Sequence, residues 1–249
     1  METLHWTEYF CELLGTAVLL FAGLTGIYLV SPLNLPDVVT YLIIGLFFAM
    51  GLVAVVYSPL GKRSGGHVNP AVTTAFWLNG LMSGIDTLGY IAAQFAGAVL
   101  GAWIAFTLFD WQRLSAALAL PGVNSSVLLV FFVEFMVVFS MIVAIFSFIS
   151  SDNSGRFTGI VVGIYIVAAT TLFASISGAG LNPARNLGPA LLLGRFDYLW
   201  IYFAASALAA FAAYGFFRGA TGGTQPACSK LCYKTDGPCL FNCHCEFKP

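Results

Sequence analysis

The tripeptide Asn-Pro-Ala occurs twice in this 249-residue chain, at Asn69-Pro70-Ala71 and at Asn182-Pro183-Ala184. In each copy the Asn is placed to cap a helix and the Pro to take its first position, where a missing N–H costs nothing. A helix start carries N–H donors with no intrahelical partner and roughly half a positive charge. The Asn side-chain amide adds a donor able to hold a passing water oxygen. Two such ends aimed at one spot would repel cations and bind small polar molecules. That is chemistry of recognition, and no residue is assigned a catalytic role.

The apolar runs that follow the motifs, Val72–Leu81 and Asn186–Leu193, are short. About 10 helical residues rise about 15 Å, half of a ~30 Å hydrocarbon core. Full-length runs surround them: Tyr9–Val30, Val38–Tyr57, Thr87–Phe109, Val127–Ile149, Phe157–Ser175 and Leu199–Phe217. Their unbroken length predicts helices rather than barrel strands. Breakers separate them at Ser31-Pro32, Ser58-Pro59, Pro121-Gly122 and Asp152-Asn153-Ser154-Gly155. The first run lacks a basic leader and a small-residue cleavage site, so it is expected to be a retained span. The predicted fold is an all-α membrane protein of six transmembrane helices plus two re-entrant half-helices.

The order span, span, half-helix, span is then repeated. The two Asn-Pro-Ala motifs lie 113 positions apart (182 − 69), and Glu12 and Glu134 lie 122 apart (134 − 12). Three spans per repeat force opposite insertion, so the expected architecture is an inverted repeat over about residues 8–109 and 127–218. Paired half-helices in such repeats mark a binding or conduction site near the membrane midplane. The composition agrees: 59% of residues are hydrophobic and 8% charged, against about 25% charged in soluble domains. A net charge of −1 argues against nucleic acid as a partner. Lys62, Arg63, Arg156 and Arg218 fall on one side of the expected topology and Arg113 and Arg195 on the other. The excess predicts that both termini are cytoplasmic.

Several residues gain meaning from this placement. A guanidinium at Arg185, one turn into a half-helix, is costly unless it faces water or carbonyls, the alternative being a structural salt bridge. Intramembrane carboxylates at Glu12 and Glu134 raise the possibility of a proton relay. The segments entering the half-helices must line a water-filled cavity, because irregular backbone survives at that depth only there. Gly65, Gly66, Gly178 and Gly180 would let that backbone approach the path. His67 is expected in the cytoplasmic vestibule as a hydrogen-bonding residue, with pH gating as the alternative.

The stretches SGGHVNPAVT at 64–73 and SGAGLNPARNLGPA at 177–190 resemble the signature loops of the aquaporin, or major intrinsic protein, family. The likeness covers about residues 8–218. It implies that the half-helices enter from opposite faces and meet at their Asn-Pro-Ala ends. In that family, pore diameter, lining donors and half-helix dipoles together exclude protons and cations. It further implies that Glu12 and Glu134 accept hydrogen bonds from the loop backbone, with Gln94 in a similar supporting role. The family's outer constriction maps onto Phe48, Thr170, Ala179 and Arg185. Strict water channels typically carry Phe, His, a small residue and Arg there, and glycerol facilitators Trp, Gly, Phe and Arg. Thr170 departs from the water pattern, whereas Phe48, Ala179, Asn186, Ala190 and the pair Tyr202-Phe203 follow it. The expected function is a passive channel for water, and for small neutral solutes second. The alternatives are a glycerol facilitator of the same fold and an ion-coupled secondary transporter. The likeness also implies a homotetramer with one pore per subunit, in a plasma or bacterial inner membrane.

Residues 219–249 form an expected cytoplasmic tail of different composition, holding Cys228, Cys232, Cys239, Cys243, Cys245 and His244. In a reducing compartment stable disulfides are not expected. Thiolate and imidazole would suit zinc or a softer metal, though the spacing matches no zinc-finger pattern. The other reading is a flexible thiol-bearing tail, with no cofactor anywhere in the chain. Cys11 is expected to be a packed residue of the first span.

Overall fold

A computed structural model describes residues 4–109, 115–232 and 241. The helices are α1 (Trp6–Val30), α2 (Asp37–Tyr57), α3 (Pro59–Ser64), α4 (Pro70–Leu78), α5 (Gly84–Leu108), α6 (Val127–Ile149), α7 (Thr158–Ser177), α8 (Pro183–Leu193) and α9 (Leu199–Ala220). Single 3₁₀ turns lie at Ser115–Ala117 and Gly155–Phe157. Among the described residues there is no strand, and six helices are long and apolar enough to cross a bilayer. α4 and α8 have 9 and 11 residues and are the two half-helices.

Three of the spans, α1, α2 and α5, start earlier than their apolar runs. α5 begins at Gly84 rather than Thr87 because Ser83 caps it, its Oγ accepting from the Asp86 N–H at 3.0 Å. α3 is a difference from expectation: Ser58-Pro59 does not simply break the chain. Ser58 accepts from the Leu60 N–H and Pro59 opens a new turn, the same grammar that starts both half-helices.

Packing repeats the sequence duplication. α1 packs on α5 and α2, and correspondingly α9 packs on α6, which packs on α7. α8 lies against α5 as α4 lies against α9, and α2 meets α7 at the pseudo-twofold axis. Close approach at the α1–α5 crossing depends on Gly97 and Gly101, one turn apart, where a Cβ would strike the carbonyls of Leu13 and Ala17. Gly97→Leu is therefore expected to force these helices apart, costing about 1–3 kcal/mol or more. A clearly lower Tm in detergent would show it, and an unchanged Tm would refute the close-packing role.

Large apolar side chains such as Phe10, Leu88, Trp103, Phe132, Ile164 and Leu172 face outward. A surface of this kind needs lipid or another apolar partner over it. The interior, by contrast, is interrupted by buried polar residues: Glu12, Ser64, His67, Gln94, Glu134, Ser177 and Arg185. Those buried polar groups locate the site.

Candidate functional site: a lined cavity between two half-helices

The loops entering α4 and α8 have matching backbones. Gly65 and Gly178 have φ of 96° and 78°, Gly66 and Ala179 67° and 46°, Val68 and Leu181 43° and 52°. Left-handed backbone at a β-branched valine and at leucine is rare and costs on the order of 1–3 kcal/mol each. Each entry is thus a sharp turn, and its N–H groups converge on one carboxylate per loop.

Glu12 accepts from Ser64 Oγ (2.7 Å), the His67 N–H (3.0 Å), the Val68 N–H (2.8 Å) and Gln94 Nε2 (2.7 Å). Glu134 accepts from Ser177 Oγ (2.6 Å), the Gly180 N–H (2.8 Å) and the Leu181 N–H (3.0 Å). Tyr90 and Tyr202 brace the same loops from α5 and α9, donating to the carbonyls of Ser64 (2.8 Å) and Ser177 (2.7 Å). Charge-assisted bonds of this number offset the strained turns. Gln94 also donates to Thr73 Oγ1 at 2.9 Å, so it ties Glu12 to the first turns of α4.

The two Asn side chains are oriented by their caps. Asn69 Oδ1 accepts from the Ala71 N–H and Asn182 Oδ1 from the Ala184 N–H, both at 2.9 Å. The oxygens are thereby spent on the helices and the amide nitrogens turn inward. Each Nδ2 donates one hydrogen across the pseudo-axis, Asn69 to the Leu181 carbonyl (3.1 Å) and Asn182 to the Val68 carbonyl (2.7 Å). An amide nitrogen has two hydrogens, so one donor per Asn is left for the cavity. Pro70 and Pro183 occupy the first helical positions, and Ala71 and Ala184 are buried behind them.

A cavity of about 810 Å³ runs past these residues. Asn69, Asn182, Phe48, Thr170, Ala179 and Arg185 all lie on its wall. Arg185 is 8% exposed; its Nη1 donates to the Ala117 carbonyl (3.0 Å) and to Asn186 Oδ1 (3.1 Å). Its guanidinium carbon stands 5.5 Å from the centre of the Phe48 ring, a cation–π contact. Among the described residues Arg185 makes no ion pair. Carbonyl and ring hold the charge while the cavity keeps it near water.

The remaining expected residues separate into two groups. His67, Gly178 and Gly180 lie on the cavity wall. Gly65 and Gly66 do not: Gly65 ends α3 and faces Ser229, and Gly66 packs against Val56. Neither Glu12 nor Glu134 nor Gln94 reaches the wall, as fits loop support rather than a relay of protons along the path. Cys11 is a buried residue of α1.

Of the tail cysteines, Cys239, Cys243 and Cys245 lie outside the described residues. Cys228 and Cys232 are buried; Cys228 Sγ accepts from the Lys230 N–H, and Cys232 Sγ lies 3.7 Å from the Gly61 carbonyl. Among the described residues no three potential ligands gather as a metal site would require. Ser64, Ser177 and Tyr90 are supporting residues that no motif in the sequence singles out by itself. A signal existed for the serines, since each opens its signature stretch 113 positions from the other (177 − 64).

The model of the family described as major intrinsic protein matches residues 1–216. The glycerol uptake facilitator protein-like 6 of Lactiplantibacillus plantarum is 34% identical over 217 residues, 83% of this chain and 96% of that protein. Nodulin-26 of Glycine max is 33% identical over 203 residues, covering 81% of this chain and 73% of its own length. The fold is shared with the aquaglyceroporin of Plasmodium falciparum, at a TM-score of 0.75 and 21% identity over 85% of this chain and 95% of that one. Paired half-helices, two capped Asn donors and a matching family model over most of the chain place it in the major intrinsic protein family, a family of transmembrane channels.

Proposed function

We propose that the chain is a passive channel for water and for small uncharged solutes up to about glycerol size, and that it excludes protons and ions. The observation that carries this reading is the shared cavity wall of Asn69, Asn182, Arg185, Phe48, Thr170 and Ala179. Two inward donors and two convergent half-helix dipoles oppose cations, and they hold a water so that it cannot pass a proton along a file. Phe48, Ala179 and Arg185 follow the water pattern, whereas Thr170 puts a smaller side chain on the wall than the histidine of that pattern. A relative named as a glycerol uptake facilitator favours the wider permeant range.

Thr170→His tests that range. The imidazole would refill the aperture and add a polar contact, so glycerol flux should fall at least about tenfold relative to water flux. Stopped-flow light scattering on proteoliposomes reads both fluxes in the same vesicles. Equal glycerol-to-water ratios in wild type and variant would show that residue 170 does not set the aperture.

A carrier coupled to ions is disfavoured. Glu12 and Glu134 are spent on the loops, and the acidic residue on the cavity wall, Asp37, opens α2 at a mouth, 11 residues before Phe48. That is about 16 Å of helix away from the constriction.

The orientation belongs to the same proposal. Arg63 pairs with Glu8 in the first turn of α1, Lys62 and Arg156 lie beside the end of α2, and Arg218 is in the last turn of α9; the positive-inside rule favours that face as the cytoplasmic one. A homotetramer with one pore per subunit in a plasma or bacterial inner membrane completes the reading, with lipid and neighbouring copies covering the apolar exterior. No cofactor is needed for passive flow.

A further inference from the structure

The described part of the tail sits inside the channel body. After α9 the chain turns at Thr221–Gly223 and then runs back over the mouth between α2, α3 and the loop at 65–68. Cys228, Ser229, Lys230, Leu231 and Cys232 are between 0% and 4% exposed. Five consecutive buried residues in a terminal segment beyond the last span must fill a concavity, and here the concavity is a mouth of the cavity. Leu231 stands on the cavity wall beside His67, Val68 and Asn69.

The seating is specific. The Leu231 N–H donates to the Gly65 carbonyl at 3.0 Å, and His67 Nε2 lies 2.7 Å from the Ser229 carbonyl, the nitrogen donating. Lys230, between them, points the other way, and its ammonium donates to the Lys62 carbonyl at 2.9 Å, near the C-terminal end of α3 where positive charge is favoured. Phe241 closes over His67, with ring centres 5.7 Å apart, and meets the edge of Tyr90 at 6.2 Å. The ring of His67, which stands on the cavity wall, is thus occupied by the tail. His67 is also where the internal repeat is broken, since its counterpart 113 positions on is Gly180 (180 − 67). The mouth with the histidine holds the segment.

We propose that Cys228–Cys232 is an autoinhibitory stopper, with Leu231 as its tip, that closes this mouth while docked and opens it on leaving. The inference rests on the channel reading, since it assigns the segment a path to block.

The test compares per-channel osmotic water permeability of the full chain, a chain ending at Gly223, and the full-length Leu231→Asp variant, in proteoliposomes with quantified protein. Both variants should conduct about tenfold faster than the full chain, as expected if the docked state is an order of magnitude the more populated. Leu231→Asp keeps the whole chain, so the result does not depend on the truncated protein folding well. A reduced synthetic peptide spanning 224–249, added to the truncated channels, should return the rate toward that of the full chain. Equal rates in all three proteins, or variants slower than the full chain, would overturn the stopper and leave the channel reading standing. No facilitated flux of water or glycerol in any of them would overturn both.

Discussion

Replacing Arg185 with valine is expected to raise proton and cation permeability by at least about tenfold while water flow persists. The guanidinium is nearly enclosed, held by the Ala117 carbonyl, Asn186 Oδ1 and the Phe48 ring. A unit charge about 4 Å from a passing cation, at an effective dielectric near 20, costs that cation about 4 kcal/mol. Losing even a third of this barrier is about a tenfold change in rate. The half-helix dipoles remain, so proton flux should still fall short of water flux. Arg185→Lys, which keeps the charge but loses the planar contact with the ring and the forked donors, should retain most of the exclusion. Proton flux read with a trapped pH dye, taken as a ratio to water flux, is unaffected by the fraction of channels the tail closes. Unchanged exclusion in a correctly inserted Arg185→Val protein would remove Arg185 from the filter.

The second large effect is structural. Glu134→Ala would strand the buried Gly180 and Leu181 N–H groups and leave the Ser177 hydroxyl only its longer bond to the Phe173 carbonyl at 3.4 Å. Each orphaned donor costs about 1–3 kcal/mol, and the left-handed turns at Ala179 and Leu181 lose what holds them. The sum is comparable with the whole stability of many domains, about 5–15 kcal/mol. Little monodisperse protein is expected. Glu134→Gln keeps one acceptor oxygen and the shape, so it should fold with a lowered Tm. If that variant conducts water at the wild-type rate per channel, a proton relay through residue 134 has no part in permeation. If Glu134→Ala is as stable as wild type, the loop-support role is wrong.

The spans were legible because bilayer-length apolar runs and cap residues are local signals. Val127–Ile149 was read to the residue, whereas α1 and α5 begin three residues before their apolar runs, in polar first turns that hydropathy discounts. The Asn caps were legible for the same reason: Asn followed by Pro carries its own geometry. Nothing local marks Val68 and Leu181 as left-handed, since valine and leucine avoid that region. They hold it because Glu12 and Glu134, more than 40 positions away, collect their N–H groups. Docking of the tail was equally out of reach. A cysteine-rich, glycine-containing segment suggested metal ligands or a flexible end, and its place is decided by a histidine 162 positions earlier.

Two opposed half-helices and Arg185 together make a path for neutral molecules and a barrier to charge. Simultaneous measurement of osmotic water flux, glycerol flux and proton flux in proteoliposomes, on the full chain and the chain ending at Gly223, tests it most directly. Facilitated water and glycerol flux in the truncated channels, independent of any ion gradient and with no proton flux above that of empty vesicles, is the predicted result. Proton flux comparable with water flux, or solute flux that requires an ion gradient, would contradict it.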